Sequence, residues 1–480
     1  MKKITLWVMV VSLILPLTVF AAPPDKPSGS GNMAGSSSSS VSYKGANTIT
    51  SSETLKDKSY SSSTGGENAL LVSGGESTIE NITLEKTGDE SSESSDFYGT
   101  NAGLLAYNNA ILNINGGNIT TNGSHANAVF SYGTGKINLS NVTITTSANN
   151  SGGVMVTGGG ILNANNCTVK TSGNSSASIR SDRGGGTLVV GGGTYETNGV
   201  GSPAIYSTAD ITVKNATLTS TKSEGVVVEG ANSITLETTN LIDNNTTLNG
   251  NSETYKNIFL YQSMSGDADL GTASFTAKNS NIETSNGDTI FVTNTTASIN
   301  LENNVITNSS GDFLRIQTGK WGTSGSNGGK VTMNLVNQKV TGNIIVDSIS
   351  TLDLTLTNGS VISGAINSDN TAKSIKVTLS SDSTLVLTDD TYLTSLDNED
   401  SENSNIYANG HKLYVDNGEV TINQDTYEEN ETSTNINTPI VDSTDNTSSS
   451  SQNDFLIPIV ILGIGIVSLI VTLIIKKRKK

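Results

Sequence analysis

Side chains able to do chemistry are sparse in this chain. Two histidines, His125 and His411, and one cysteine, Cys167, are its whole stock of imidazole and thiol. A lyase needs an arginine or lysine base beside acids that hold calcium. The nearest match is Arg180-Ser181-Asp182-Arg183, and it reads first as a solvated charge pair at a turn. Asp267 and Asp269 fall in a longer loop where a cation could sit, but two acids are too few to argue a site. Cys167 occupies an inward strand position and reads as a small buried hydrophobe. A single cysteine also excludes an intrachain disulfide. No catalytic residue, metal ligand or cofactor is therefore assigned, with calcium kept as an open alternative.

The elements that would carry any site repeat along the chain. Related phrases run over Thr78 to Leu84 (TIENITL), Ile137 to Ile144 (INLSNVTI), Leu162 to Val169 (LNANNCTV) and Ile211 to Leu218 (ITVKNATL). An asparagine recurs at Asn118, Asn141, Asn166, Asn215, Asn240, Asn281 and Asn304, at steps of 23, 25, 49, 25, 41 and 23 residues. The unit is thus about 23–25 residues. Each unit alternates apolar and polar over two stretches, a strand period rather than a helical one. The asparagine between them suits a left-handed corner, where stacked amides can bond from turn to turn. A third stretch precedes each pair, as at Val129 to Ser131, Val154 to Val156, Ile205 to Ser207 and Ile290 to Val292. Three short strands per unit make one coil of a parallel β-helix, whose inward aliphatics pack on the coils above and below.

These phrases resemble right-handed parallel β-helix proteins, in particular adhesin-like surface proteins of Gram-positive and gut bacteria. The run Trp321 to Gly329 (WGTSGSNGG) and the segment Asn343 to Leu352 (NIIVDSISTL) add to the likeness, which covers about residues 65–422. It implies an all-β, right-handed parallel β-helix of about a dozen coils, a rod roughly 55 Å long at about 4.8 Å per coil. The architecture also carries pectate lyases, polygalacturonases, tailspikes and passenger domains, so it does not fix function. Polygalacturonases show paired aspartates with Gly-His-Gly and Arg-Ile-Lys. Here neither histidine has that context, Arg315-Ile316-Gln317 ends on the wrong residue, and Asp389-Asp390 lies near the last coil.

Binding is the better-supported role. Alternation directs one residue per coil outward from the first strand: Leu71, Leu105, Phe130, Met155, Arg180, Tyr206, Val227, Phe259, Phe291, Arg315 and Ile345. Most are large and apolar, where a bare face would be polar. Three readings of this stripe stay open: cover by the chain's own longer loops or its leader, docking of a second copy or another protein, or a platform on which sugar rings stack. The ligand-binding face is assigned to Phe130, Arg180, Tyr206, Phe259, Tyr261, Phe291, Arg315 and Trp321.

The termini bear on topology. Met1-Lys2-Lys3, an apolar run from Ile4 to Phe20, and Val19 and Ala21 at the −3 and −1 positions read as a signal peptide cut after Ala21 or Ala22. Phe455 to Ile475 carries no charge and is followed by Lys476-Lys477-Arg478-Lys479-Lys480. Such a run spans a hydrocarbon core of about 30 Å, and the basic cluster marks the cytoplasmic side. The expected order is signal peptide (1–22), Ser/Gly/Pro-rich leader (23–63), β-helix (64–423), disordered stalk (424–454), transmembrane helix (455–475) and basic cytoplasmic tail (476–480). No Leu-Pro-x-Thr-Gly sorting motif precedes the span, which favours direct membrane anchoring. The part outside would hold 20 basic against 44 acidic residues, a net charge of −24. That surface repels nucleic acid and anionic lipid. The resulting expectation is a non-enzymatic, single-pass cell-surface adhesin. Its partner would be a host or neighbouring-cell surface glycan or protein. A polysaccharide lyase or hydrolase and a structural surface coat are the alternatives.

Overall fold

The computed structural model describes residues 41–250 and 252–428. They form an all-β parallel solenoid of about 15 turns. The signal peptide, the start of the leader, most of the stalk, the membrane span and the basic tail all lie outside the described residues. Among the described residues no helix is long and apolar enough to cross a membrane.

The way one coil forms is visible in Lys136–Thr146. Ile137 and Leu139 point inward, and after them Val142, Ile144 and Thr146 do, all fully or almost fully buried. The step from Leu139 to Val142 is three residues rather than two, because Asn141 between them adopts a left-handed conformation (φ 58°). That one residue turns the strand and resets its parity, so both halves bury their aliphatic side. The corner repeats in register at Asp57, Asn81, Gly116, Asn141, Asn166, Gly192, Asn215, Thr238, Asn279, Asn303, Asn337 and Asn358. Asparagine dominates because it tolerates this region better than other residues with a Cβ. The corner amides also bond along the stack, Asn81 Nδ2 to Asp57 Oδ1 at 2.8 Å and Asn303 Nδ2 to Asn279 Oδ1 at 2.7 Å. Of the asparagines expected at this corner, Asn141, Asn166 and Asn215 occupy it. Asn118, Asn240, Asn281 and Asn304 lie one or two residues beyond it, behind Gly116, Thr238, Asn279 and Asn303.

The first strands of the coils form a twelve-stranded sheet from Thr48–Ile49 to Ile344–Val346. The outward stripe read from alternation is one continuous ladder of this sheet, each member paired with the next from Leu71 to Ile345. The second and third stretches of early coils are single bent strands, such as Gly160–Thr171 and Asp210–Ser220, and separate in later ones, as in Ser233–Glu237 and Asn240–Asp243. Inside, like stacks on like: Ile79 on Ile114, Leu139 and Ala164, and Leu301 on Leu335 and Leu356. Each such buried aliphatic contributes roughly 1.5–3 kcal/mol of transfer free energy. Cys167 lies in this core, as its inward position implies, and burial pushes its thiol up from the ordinary value.

The solenoid has more turns than the expected dozen and starts earlier than expected. Residues expected in the leader already build the first coil: Thr48–Ile49, Thr54–Lys56 and Ser59–Ser62 pair with Leu70–Ser73 and Glu76–Lys86. At the other end Leu413–Val415 turns back antiparallel on Gly418–Val420 through Asp416 and Asn417, both left-handed (φ 47° and 62°). This primed hairpin is the one antiparallel pairing among the strands of the described residues, and it adds the last strand to the three-stranded sheet near the end of the solenoid.

Candidate binding cleft

The stripe is covered along its first half. From Leu71 to Leu105 the coil takes 34 residues, and the extra length, about residues 87–103, folds over the sheet. It holds the helix Glu93–Tyr98, started by Ser92, whose hydroxyl accepts from Ser94 N, and ended by Gly99 at φ 74°. Leu71, Leu105, Phe130 and Met155 are thereby buried with Ala102 in a second apolar cluster, flanked by Tyr43, Tyr107 and Tyr132. The fit is close, since a Cβ on Gly99 would sit 2.8 Å from the Phe130 ring. Thr157 Oγ1 donates to Phe97 O at 2.6 Å and Asn68 Nδ2 to Gly99 O at 2.8 Å. Asp96 meets His125 Nδ1 at 2.7 Å and Arg180 at 3.7 Å. Phe130 therefore offers no surface to a ligand in this arrangement.

The two arginines of the stripe are committed to neighbouring acids. Arg180 pairs with Asp96 and, at 3.2 Å, with Asp182, while Arg183 pairs with Asp267. Arg315 pairs with Asp288 at 2.7 Å and with Asp312. Burial alone would ease a proton off either guanidinium. The flanking carboxylates outweigh it and hold both above their ordinary value. Both guanidiniums are thus held in ion pairs that tie the stripe to neighbouring segments.

The other five assigned residues converge. Tyr206, Phe259 and Phe291 are rungs of one ladder, and Phe259 and Phe291 have ring centroids 5.8 Å apart. Tyr261 stacks on Phe259 (4.5 Å, 14°), and Trp321 reaches over from a later loop to 5.8 Å from Tyr261. Tyr206, Phe259, Tyr261 and Trp321 line a cleft of about 120 Å³, with Gly201, Pro203, Ser223, Glu224, Val227, Asn249 and Ser252 completing its wall.

Carboxylates hold this aromatic floor. Glu229, 1 % exposed, accepts from both Tyr206 and Tyr261 hydroxyls and from the Ser263 amide and hydroxyl. Burial first, and the neighbouring phenol and Glu229 next, push Tyr206 well above the ordinary tyrosine range. Burial and then Glu229 do the same to Tyr261. On the wall, Glu224 takes Ser223 Oγ at 2.7 Å, Ser252 Oγ at 3.1 Å and Lys256 Nζ at 3.4 Å. Lys256 also lies 4.6 Å from the Phe259 ring centre and 5.5 Å from that of Phe291, a cation–π contact with the same floor. Behind them the Asp243 carboxyl is pushed up to about 8, by burial and then by Glu224, against the Asn245 amide and Lys256, which lower it.

Neither Glu224 nor Lys256 stood out in the sequence, although a signal was present. The residue three before the stripe is charged in four successive coils: Glu224, Lys256, Asp288 and Asp312. Earlier coils carry Asn127, Gly152, Ala177 and Pro203 there.

A scan against protein-family models and searches of curated proteins and of solved structures find no match. The cleft must therefore speak for itself. Among the described residues one group has the spacing to hold a metal ion, Asp389, Asp390 and His411, with ligand atoms within 4.8 Å of one another. It lies in the last coils, and exposed acids of this kind are common on so acidic a chain. Asp267 is spent on Arg183 and accepts from Ser265 Oγ at 2.7 Å.

Proposed function

We propose that the protein is an adhesin-like, right-handed parallel β-helix displayed outside the cell, anchored by its C-terminal apolar segment. In this reading the cleft around Trp321 binds a carbohydrate of a host or neighbouring cell. The carrying observation is the convergence of Tyr206, Phe259, Tyr261 and Trp321 on one cleft whose wall holds a carboxylate, a hydroxyl and an amide. Aromatic faces take the apolar faces of sugar rings, and the polar wall takes their hydroxyls. The right hand follows the general rule for parallel crossovers. Signal peptide, membrane span and cell-surface location rest on the terminal sequences.

The test is a glycan and matrix-protein binding screen of the full chain in detergent, with and without EDTA. Saturable glycan binding that falls at least about tenfold in Trp321→Ala, equivalent to about 1.4 kcal/mol, supports the reading. Release of unsaturated or shortened oligosaccharides would replace it with a lyase or hydrolase. Binding to protein alone, or to nothing, would overturn the carbohydrate assignment and leave the surface-coat alternative. Loss of binding in EDTA would bring calcium into the site.

A further inference from the structure

The cleft has a size, a closure and a charge state, and together they narrow its ligand. A pocket for a drug-sized molecule runs to roughly 300–1,000 Å³. This one is about 120 Å³, room for about a single sugar ring. It is also bounded by loops from different coils. The Gly201–Pro203 turn bounds it on the side of the earlier coils and Trp321 on the side of the later ones. Laterally stands the segment carrying Asn249 and Ser252, and a Cβ on Gly201 would lie 3.5 Å from Asn249 Nδ2. Lys320 Nζ donates to Gly250 O at 3.0 Å, joining the Trp321 loop to that segment across 70 positions of sequence. These loops stand at the two ends of the cleft along the stack, where an internal stretch of polymer would have to pass.

Charge is balanced at the wall. Lys256 is 4 % exposed and already engages Glu224, Ser252 Oγ at 2.5 Å and Thr254 O at 3.1 Å. No lysine or arginine is among the residues lining the cleft, and Lys256 is already engaged by Glu224, so the carboxylate of an acidic sugar would meet Glu224 with no lining cation of its own to pair with. A carboxylate with adjacent hydroxyl and amide groups suits neighbouring hydroxyls of a neutral ring.

We propose that the cleft takes one neutral sugar residue at the end of a glycan chain, not an internal stretch of polymer and not a uronic or sialic acid; this rests on the carbohydrate reading above. Recognition is then end-on, with the rest of the glycan outside the pocket.

The chain holds two tryptophans, Trp7 and Trp321, so Trp321 emission reports the site, with Trp321→Phe as the blank. The full chain in detergent is titrated with methyl glycosides of neutral hexoses, with the matching di- and tetrasaccharides, and with the corresponding uronates. The expected result is a neutral methyl glycoside that binds within about threefold of its tetrasaccharide, because added residues gain no new contacts. Glu224→Gln should weaken it about tenfold, and the uronate should bind at least about tenfold more weakly. Affinity climbing about tenfold with each added residue would overturn end recognition while leaving carbohydrate binding intact. A tighter uronate would overturn neutrality alone. Silence to every sugar, including polymers, would remove this inference and the carbohydrate reading together.

Discussion

Asp243 occupies a slot that the neighbouring coils fill with a hydroxyl. Thr121, Thr146, Thr171, Thr197 and Ser220 stack below it and Thr284 above, all of them buried. Several of those hydroxyls donate, as where Thr146 gives to Ser151 O at 2.6 Å and Ser220 to Ser223 O at 2.8 Å. An ionised carboxylate cannot donate and a protonated one can, in keeping with the rise of Asp243 to about 8. Its Oδ2 is buried without a hydrogen-bond partner. The unfolded chain releases this proton near pH 4, so between about 4 and 8 the fold must keep a proton that the unfolded chain has lost. Stability should fall by up to about 1.4 kcal/mol per pH unit through that window, and level off above it. Urea midpoints at pH 5 and pH 9 check this. Asp243→Asn should match the parent at pH 5 and exceed it at pH 9 by on the order of a few kcal/mol, and an equal pH slope in both proteins would refute it. At this scale alternation and the repeat spacing placed the rungs from Leu71 to Ile345, although inward and outward residues are often of one type, as in Leu70-Leu71-Val72; the first rung, Thr48, was missed. The buried charges escaped notice because a lone Glu or Lys in a polar sequence reads as surface. Only stacking the coils shows that Glu224, Lys256 and Asp288 share one enclosed column.

Cover by the chain's own longer loops is one reading of the stripe, but the sequence does not show which residues supply the cap over its first half. Residues 87–103 are mostly polar, and a six-residue helix is too short to show a period. Its apolar contribution is small, essentially Phe97, Tyr98 and Ala102, and the remaining hold is polar. Asp96→Ala removes the contacts to both His125 and Arg180 and leaves the solenoid untouched. Limited proteolysis should then cut within 87–103 at a raised rate, with new hydrophobic-dye binding and an unchanged far-ultraviolet spectrum. An unaltered cleavage rate would show that Thr157 and Asn68 suffice to hold the cap. The first coil was concealed for a related reason. Ser59–Ser62 is a strand made of Ser and Tyr, and on composition alone it is indistinguishable from the linker before it.

At the scale of the molecule the fold was legible because a solenoid writes its register into its sequence. A repeat of 21 to 34 residues remains readable when only the loops vary in length. The repeat reads least clearly in the last turns, which fall within the expected 64–423 but where strands shrink to three residues such as Thr391–Leu393 and Leu413–Val415; the turn left out was the first. Because each coil contacts only its neighbours, stability is a sum of coil and interface terms. Excising residues 357–379 removes one full coil between the register partners Leu356 and Leu379. Calorimetry should find this deletion folded, with its transition within about 10 °C of the parent, whereas excising 357–368 breaks register and should lower the transition much further. Equal damage from both would mean that the end coils act as one cooperative block.

The hydrogen bonds of the stacked ladders point along the stacking direction, and this gives the molecule two different responses to force. A load spread across whole coils strains all the bonds of a turn together. A pull on the C-terminal side instead meets the pairing of Gln424 and Asp425 with Ala408 and Asn409 first, then the Leu413–Val420 hairpin, and then one turn at a time. Each released turn of about 25 residues pays out roughly 85 Å of extended chain while shortening the stack by about 4.8 Å. A bond formed at the cleft, many turns from that end, would thus be shielded by a series of yielding links, each absorbing a jerk before the next is loaded.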